Sequence, residues 1–380
     1  MKYRVTCLTP TLVGDGQKLS PIDYMVWKDQ VNVLDQRRIF KLLAKGPRLD
    51  SYLSQLKKSE RLDFASWGGF AQNFAGRRIP FEHASSSAYW QKAYTENLFI
   101  PTFASGVHGP YLPASAIKGV LRTAALFKRW SKETMEEAAR RAEGERSLRR
   151  VTNGAENALL GASGADRMKF LGLADSGSIA NGAFKVYLLR ASTMTAKGAD
   201  RFELGWKQAP RGTAIRPEDS TPLFAEMAVP GTEFSGEWQE SEFLKRPEVT
   251  RALHWKQPDR ANVFAAANDY AEAQLKMHAD YATRLGLPDV AASIQALEAR
   301  LGELRTAGDG CLMSIGYGGG FLSKAPYLET TDASYRKILG ALPFFSRAIQ
   351  SGLPFPKTRR IVFLNNRPGT LAGWVQLRVV

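Results

Sequence analysis

Residues Tyr3 to Leu8 alternate, with Tyr3, Val5 and Cys7 on one side and Arg4, Thr6 and Leu8 on the other, before Pro10 and Gly14-Asp15-Gly16. This pattern predicts a strand running into a glycine turn. Two short apolar runs, Tyr24 to Trp27 and Val31 to Leu34, flank Lys28-Asp29-Gln30 and predict a hairpin. From Gln36 the period changes to three and four. Ile39, Phe40, Leu42 and Leu43, then Leu49, Tyr52, Leu53 and Leu56, predict two amphipathic helices interrupted at Gly46-Pro47. Ser59 to Phe74 reads as a further helix weakened by Gly68-Gly69, and the stretch from there to Tyr94 has no readable period.

Leu98 to Phe103 resumes strand character, and Gly106 to Pro113 is loop by its Gly and Pro content. The clearest element follows. Ser115 is placed as an N-cap; Ile117, Val120, Leu121, Ala124 and Phe127 form an apolar face, and Lys118, Arg122 and Arg129 form a stripe opposite it. Ser131 to Arg150 continues as a charged helix, and Gly154 to Gly182 reads as an irregular connection holding a short strand at Met168 to Leu173. Phe184 to Leu189 and Phe224 to Trp238 predict strands, the second pair turning at Pro230-Gly231, with Lys197 to Pro222 as a projecting loop between them. Ala261 to Leu285 and Val290 to Leu304 predict long helices, and Cys311 to Ile315 a strand ending in Gly316-Tyr317-Gly318-Gly319-Gly320. Tyr335 to Ile349 reads as a helix, and Ile361 to Leu364 and Trp374 to Val379 as strands. Strands at both ends with helices inserted between them indicate an α+β sandwich of ferredoxin-like (RRM-like) type with helical insertions. The core is assigned to 1–35, 95–240 and 305–380, a mainly helical insertion to 36–94, and a second helical insertion to 241–304.

Charge adds the first functional information. The 380 residues carry 52 Lys and Arg against 37 Asp and Glu, a formal charge of +15, with a sequence pI near 9.8. An excess of this size points to a polyanion. The positive charge is spread through folded-looking sequence rather than gathered in one anchor, which favours nucleic acid over a membrane surface. It peaks twice: ten basic residues against five acidic ones from Lys118 to Arg150, and five basic residues with no acid from Lys357 to Val380. A basic surface that is merely solvated is the competing reading. No apolar run is long enough for a membrane span, and the first ten residues lack a secretory pattern, so the expected compartment is the cytoplasm. Two cysteines, Cys7 and Cys311, build no disulfide framework, and no Cys-x-x-Cys or His-x-x-His spacing offers zinc ligands; no cofactor and no metal are expected.

Four segments carry candidate chemistry. Gly316, Tyr317, Gly318, Gly319, Gly320 and Lys324 could cradle a phosphate through bare backbone N–H groups, or could be a bulged strand end. The Walker A and dinucleotide fingerprints both fail here. Ser115, Lys118, Gly119 and Arg122 stand at a helix start suited to phosphates, and a glycine inside that helix suggests that a ligand or a chain segment approaches closely. Gly14 and Gly16 bracket a turn. Lys357, Arg359 and Arg360 precede a strand, as phosphate contacts or as a solvated loop. His108, in a Gly-rich loop, is the one histidine placed where a general base for RNA cleavage could sit, and no Ser-His-Asp set can be assembled.

In this order the motifs resemble the RAMP superfamily of CRISPR proteins: Leu8-Thr9-Pro10 leading to Gly14-x-Gly16; Leu112-Pro113-x-Ser115-x-Ile117-Lys118-Gly119-x-x-Arg122; an apolar strand with Pro230-Gly231-Thr232-x-Phe234; and Gly316 to Lys324. With Asp23-Tyr24, Pro356-Lys357-Thr358-Arg359-Arg360 and Gly373-Trp374, the version is most similar to the fifth subunit of the type III-A, or Csm, interference complex. The resemblance implies a ferredoxin-like RAMP core and a non-catalytic RNA-binding head subunit. Such a subunit caps the filament and holds or protects the 3′ portion of the CRISPR RNA beside the adjacent backbone RAMP subunit. It thereby contributes to maturation and to target RNA binding. Its implied partners are CRISPR RNA, target RNA and the other Csm-type subunits, with no membrane. The resemblance assigns the glycine loop and the Lys118, Gly119 and Arg122 helix start to guide RNA or neighbouring subunits. It names no catalytic aspartate here. Another type III RAMP subunit, or a metal-independent endoribonuclease that processes CRISPR RNA, stands as the alternative.

Overall fold

The computed structural model describes residues 1–44, 46, 48–58, 74–144, 147–198, 201–256 and 259–380. The first strand, Lys2–Cys7, buries Tyr3, Val5 and Cys7, as the alternation requires, and lies in the middle of a five-stranded antiparallel sheet. Across the sheet the order is Gly310–Ser314, Trp374–Val379, Lys2–Cys7, Glu233–Glu240 and Leu171–Leu173. Set aside strand 310–314 at the edge, and the chain runs from strand 2–7 through helix Ala114–Phe127 to strands 171–173 and 233–240. Helix Arg260–Arg284 then leads back to strand 374–379. The fourth strand thus lies beside the first, then the third, then the second, which is the ferredoxin-like βαββαβ arrangement. Helices 114–127 and 260–284 cover one face, where Phe127 meets Tyr270 at 5.2 Å and Trp238 meets Phe264 at 5.7 Å between ring centroids.

A second sheet is organised by one long strand, Phe184–Ala196. Strand Thr358–Leu364 and then Arg367–Leu371 extend it on one side, and Leu223–Ala228 and Phe202–Lys207 share the other. The hairpin Tyr24–Trp27 and Gln30–Leu34 gains a third strand, Ala75–Pro80. Arg77 on that strand pairs with the fully buried Glu226 carboxylate, which fastens this small sheet to the long-stranded one. Stretch 36–94 also holds the helices Gln36–Leu43, Leu49–Lys58 and Ser85–Lys92, whereas 241–304 is not simply an insertion: beside Pro247–Ala252 and most of Pro288–Ala307 it contains helix 260–284, which packs on the ferredoxin-like sheet as its second helix. Among the described residues no helix is long and apolar enough to cross a membrane. The helix expected over Ser59 to Phe74 lies, up to residue 73, outside the described residues.

Several expected elements are corrected. Ser115 is not the N-cap: Pro113 holds that position, and the Ala114 N–H donates to Asp175 at 2.7 Å, a capping carboxylate far away in sequence. Two helices, Lys132–Gly144 and Leu148–Leu160, replace the single one expected over Ser131 to Arg150, and Gly154 lies inside the second rather than opening an irregular segment. The stretch Met168 to Leu173 begins as a 3₁₀ turn, Arg167–Phe170, N-capped by Asp166, before strand 171–173. The helix expected over Tyr335 to Ile349 is divided into Ala333–Ala341 and Pro343–Gln350, because Pro343 has no N–H and can only begin a new helix. Strand 184–196 runs seven residues past Leu189, and strand 202–207 stands inside the expected projecting loop, pairing with residues 192–196. Strand 367–371 was not foreseen, although Asn365-Asn366, both at positive φ, form the tight turn that leads into it.

Candidate nucleic-acid interface

The glycine loop leaves strand 310–314 and is clasped to the first turn of the chain. The Tyr317 N–H donates to the Leu12 carbonyl at 2.8 Å, and the Ile315 N–H to Gly373 at 2.7 Å. Gly316 has a φ of 75°, and a Cβ there would lie 2.1 Å from the Leu12 carbonyl oxygen. At Gly318 a Cβ would meet the Ala372 methyl at 2.6 Å, and at Gly319 it would meet Ser323 Oγ at 2.4 Å. The fold therefore requires glycine at these places irrespective of any ligand. Helix 260–284 fixes the turn that follows: Tyr270 donates to the Leu322 carbonyl at 2.6 Å, and Gln274 to the same oxygen at 2.9 Å. Among the described residues the N–H groups of Gly318, Gly319 and Gly320 have no acceptor within the protein, and Lys324 is exposed beside them.

This loop divides two adjoining clefts. The first, about 600 Å³, is lined by Gly14, Gly16, Ser115, Gly119, Gly316, Tyr317 and Lys324, together with Lys18 and Thr102. Three motifs that lie about one hundred and about two hundred residues apart along the chain are thus brought to one depression. The second, about 740 Å³, runs from Gly316 through Gly320 and Lys324 to Lys357, Arg359 and Arg360, with an apolar wall from helices 333–341 and 343–350. Among the described residues no carboxylate lines either cleft. An added Cβ at Gly119 would meet nothing within 4 Å, so no other segment of the described chain packs there.

The remaining cations divide by environment. Lys118 donates to the Leu171 carbonyl at 2.6 Å, and Arg122 pairs with Asp166 and with Glu156 at 3.2 Å. Both face a separate depression shared with Lys169, not the 600 Å³ cleft. Their motif positions therefore serve the junction between helix 114–127 and the edge strand. Arg359 is buried: its Nε donates to His278 Nδ1 at 3.0 Å, its Nη1 to the Pro356 carbonyl at 2.6 Å, and its plane lies over the Tyr281 ring at 4.6 Å. Burial lowers its pKa to about 10, which leaves it charged at neutral pH. The same environment pushes His278 well below the ordinary histidine range. Burial and the neighbouring Lys207 draw the Lys357 ammonium below the lysine range. Arg360 is exposed and stacks over Tyr317 at 4.6 Å. Part of the first basic peak is paired, Lys128 with Asp269, Lys132 with Glu136, and Arg140 and Arg141 with the one carboxylate of Glu137.

Sequence reasoning missed the apolar wall of the second cleft. There Phe321 meets Phe355 at 4.8 Å and Phe345 at 5.3 Å, and Phe344 meets Phe345 at 5.1 Å. The adjacent Phe344-Phe345 after Pro343 was the available signal. His108 lies exposed at the tip of the 105–110 turn. Among the described residues no three of His, Cys, Asp and Glu gather as metal ligands.

Comparison with known proteins agrees with this architecture. The CRISPR system Cms protein Csm5 of Methanocaldococcus jannaschii is 21% identical to this chain, over all of it and 89% of the relative. Among solved structures, a chain of the Csm-crRNA-target RNA ternary complex of a type III-A CRISPR-Cas system superimposes with a TM-score of 0.65 at 20% identity, each chain covered fully. The crystal structure of T. onnurineus Csm5 superimposes with a TM-score of 0.63 at 17% identity, covering 98% of this chain and 99% of that one. The sequence profile of the RAMP superfamily matches residues 4–238, which include the first three strands of the ferredoxin-like sheet and the Lys118-Gly119 helix; the chain belongs to that superfamily.

Proposed function

We propose that this chain is the RNA-binding head subunit of a type III-A CRISPR interference complex. In this reading it caps the filament, holds the 3′ portion of the CRISPR RNA beside the adjacent backbone RAMP subunit, and contributes to guide maturation and target RNA binding without cutting RNA. The observation that carries the reading is the pair of carboxylate-free clefts meeting at an exposed glycine loop with acceptor-free N–H groups, in a chain of charge +15. Such a surface offers backbone donors and cations to phosphates and leaves base identity to pairing. The full-length likeness to Csm5 and to a chain of a Csm-crRNA-target RNA complex supports assembly with CRISPR RNA, target RNA and other Csm-type subunits.

The test is RNA binding against salt. Contact with about four to six phosphates gives a slope of log affinity on log salt near −3 to −4, at ~0.7 per phosphate of single strand. Lys324→Ala removes an exposed ammonium and leaves stability within about 0.5 kcal/mol. Complexes assembled with this variant yield guide RNAs less protected at their 3′ ends. A salt-independent affinity, or full protection when Lys324 and Arg360 are both replaced by alanine, overturns the proposal.

A further inference from the structure

The second cleft has two unlike walls. One carries Lys324, Lys357 and Arg360 and the open N–H groups of the glycine loop. The other is aromatic, and its outermost ring, Phe344, is 88% exposed. A single exposed phenylalanine is ordinary on a protein surface. This one stands at the mouth of a 740 Å³ cleft, edge-on at 5.1 Å to Phe345, which in turn meets Phe355 at 5.6 Å and Phe321 at 5.3 Å. Phe344 touches this cluster edge-on through Phe345 and leaves its ring open to solvent.

We infer that this cleft receives an unpaired nucleobase of single-stranded RNA, stacked on Phe344, while the flanking phosphates lie along Lys324, Lys357 and Arg360. The inference rests on the RNA-holding reading and adds to it the part of the RNA that this half of the site takes. Charge selects RNA over a neighbouring protein helix. Besides the buried Arg359, the cleft offers three cations and a row of N–H donors, with no carboxylate among the described residues that line it, which suits an anionic backbone. An apolar helix face would leave those donors without acceptors. The cleft also adjoins the first one across Gly316, Tyr317 and Lys324, which line both. A strand held there by its phosphates is therefore led onto the aromatic wall. Stacking of this kind is indifferent to base identity, in keeping with a site that holds guides of any sequence.

The experiment separates base from backbone. Binding of the full chain is measured for an oligoribonucleotide and for a fully abasic ribose-phosphate oligomer of equal length, with wild-type protein, Phe344→Ala and Phe344→Trp. Wild type prefers the intact RNA, Phe344→Ala loses about tenfold on intact RNA and nothing on the abasic oligomer, and Phe344→Trp restores the preference. The salt slope is the same for all three proteins. Equal loss on both oligomers, or no loss on either, overturns the stacking site while the salt-dependent binding of wild type still stands. Unchanged RNA binding by Phe344→Ala together with release of a neighbouring subunit overturns it in favour of protein docking. Absence of salt-dependent binding by wild type, free or in the assembled complex, overturns the RNA-holding reading and the stacking site with it.

Discussion

Gly119 gives the sharpest test of the first cleft, because there the demands of the fold and of a ligand point in opposite directions. It is the sixth residue of the 14-residue helix 114–127, is exposed, and has ordinary helical dihedrals. Glycine in a helix interior is about 0.8–1.0 kcal/mol less favourable than alanine. An added Cβ would meet nothing within 4 Å, so no clash offsets that gain. Gly119→Ala should therefore stabilise the chain by about 1 kcal/mol. With an unfolding entropy of about 2.1 cal/mol/K per residue, a gain of that size over 380 residues raises Tm by only about 1 °C. Differential scanning calorimetry with both proteins in one buffer resolves it. Gly119→Leu keeps most of the helical gain and places a large side chain in a cleft of about 600 Å³. RNA affinity should fall about tenfold in this variant, roughly 1.4 kcal/mol, with the melting temperature at or above that of wild type. Unchanged RNA affinity in Gly119→Leu would show that no RNA passes over this helix. A lower melting temperature in Gly119→Ala would show that the open space around the glycine is filled.

Two further outcomes follow from the side chains that are turned inward. Arg122→Ala removes the partner of Asp166 and of Glu156, both partly buried, and should lower stability by about 1 kcal/mol in a urea titration while the salt slope of RNA binding stays unchanged; an unaltered midpoint would show that these ion pairs are idle. His278 is held neutral by burial and by Arg359, so the unfolded chain binds a proton near pH 6.5 that the folded chain refuses. Stability should therefore be unaffected above that pH and fall below it by up to about 1.4 kcal/mol per pH unit, a decline absent from His278→Gln; parallel pH profiles for the two proteins would refute it.

The strands and long helices were legible because their signals are local. The alternation of Tyr3, Val5 and Cys7 and the three-four spacing of Ile117, Leu121 and Ala124 each state a face that the structure buries. The misreadings have long-range causes. Ser115 has the chemistry of an N-cap, but Asp175 reaches the helix start from across the fold and the serine is left in the first turn. Lys118 and Arg122 look like free cations on a helix stripe until the edge strand and Asp166 are placed against them. Arg359 reads as part of a basic loop, whereas the pairing of strand 358–364 with strand 184–196 turns it towards His278 and out of solvent. A count of positive charge along the chain cannot separate Arg359 from Arg360, although one is buried and the other exposed. The aromatic wall was invisible for a related reason: Phe321, Phe345 and Phe355 come from three segments, and only the fold brings their rings together.

The glycine loop shows why the motif could be recognised and yet not interpreted from sequence. Gly316 is excluded from bearing a side chain by Leu12, Gly318 by Ala372 and Gly319 by Ser323, so each would be required in a protein that bound nothing there. Gly319 lies outside the left-handed region, and valine at that position would fail against two serine hydroxyls rather than through backbone strain. Loss of RNA binding after such a substitution would say nothing about contact with RNA, because the loop itself would move. The informative positions are those for which the fold has no use: Gly119, where nothing packs; Lys324, which is exposed; and Phe344, whose ring is almost wholly in solvent. Each lines one of the two carboxylate-free clefts, and Lys324 lines both. A residue that the fold does not need and that sits on such a surface can be changed without disturbing the scaffold, so an effect on RNA at these three places bears on the site directly.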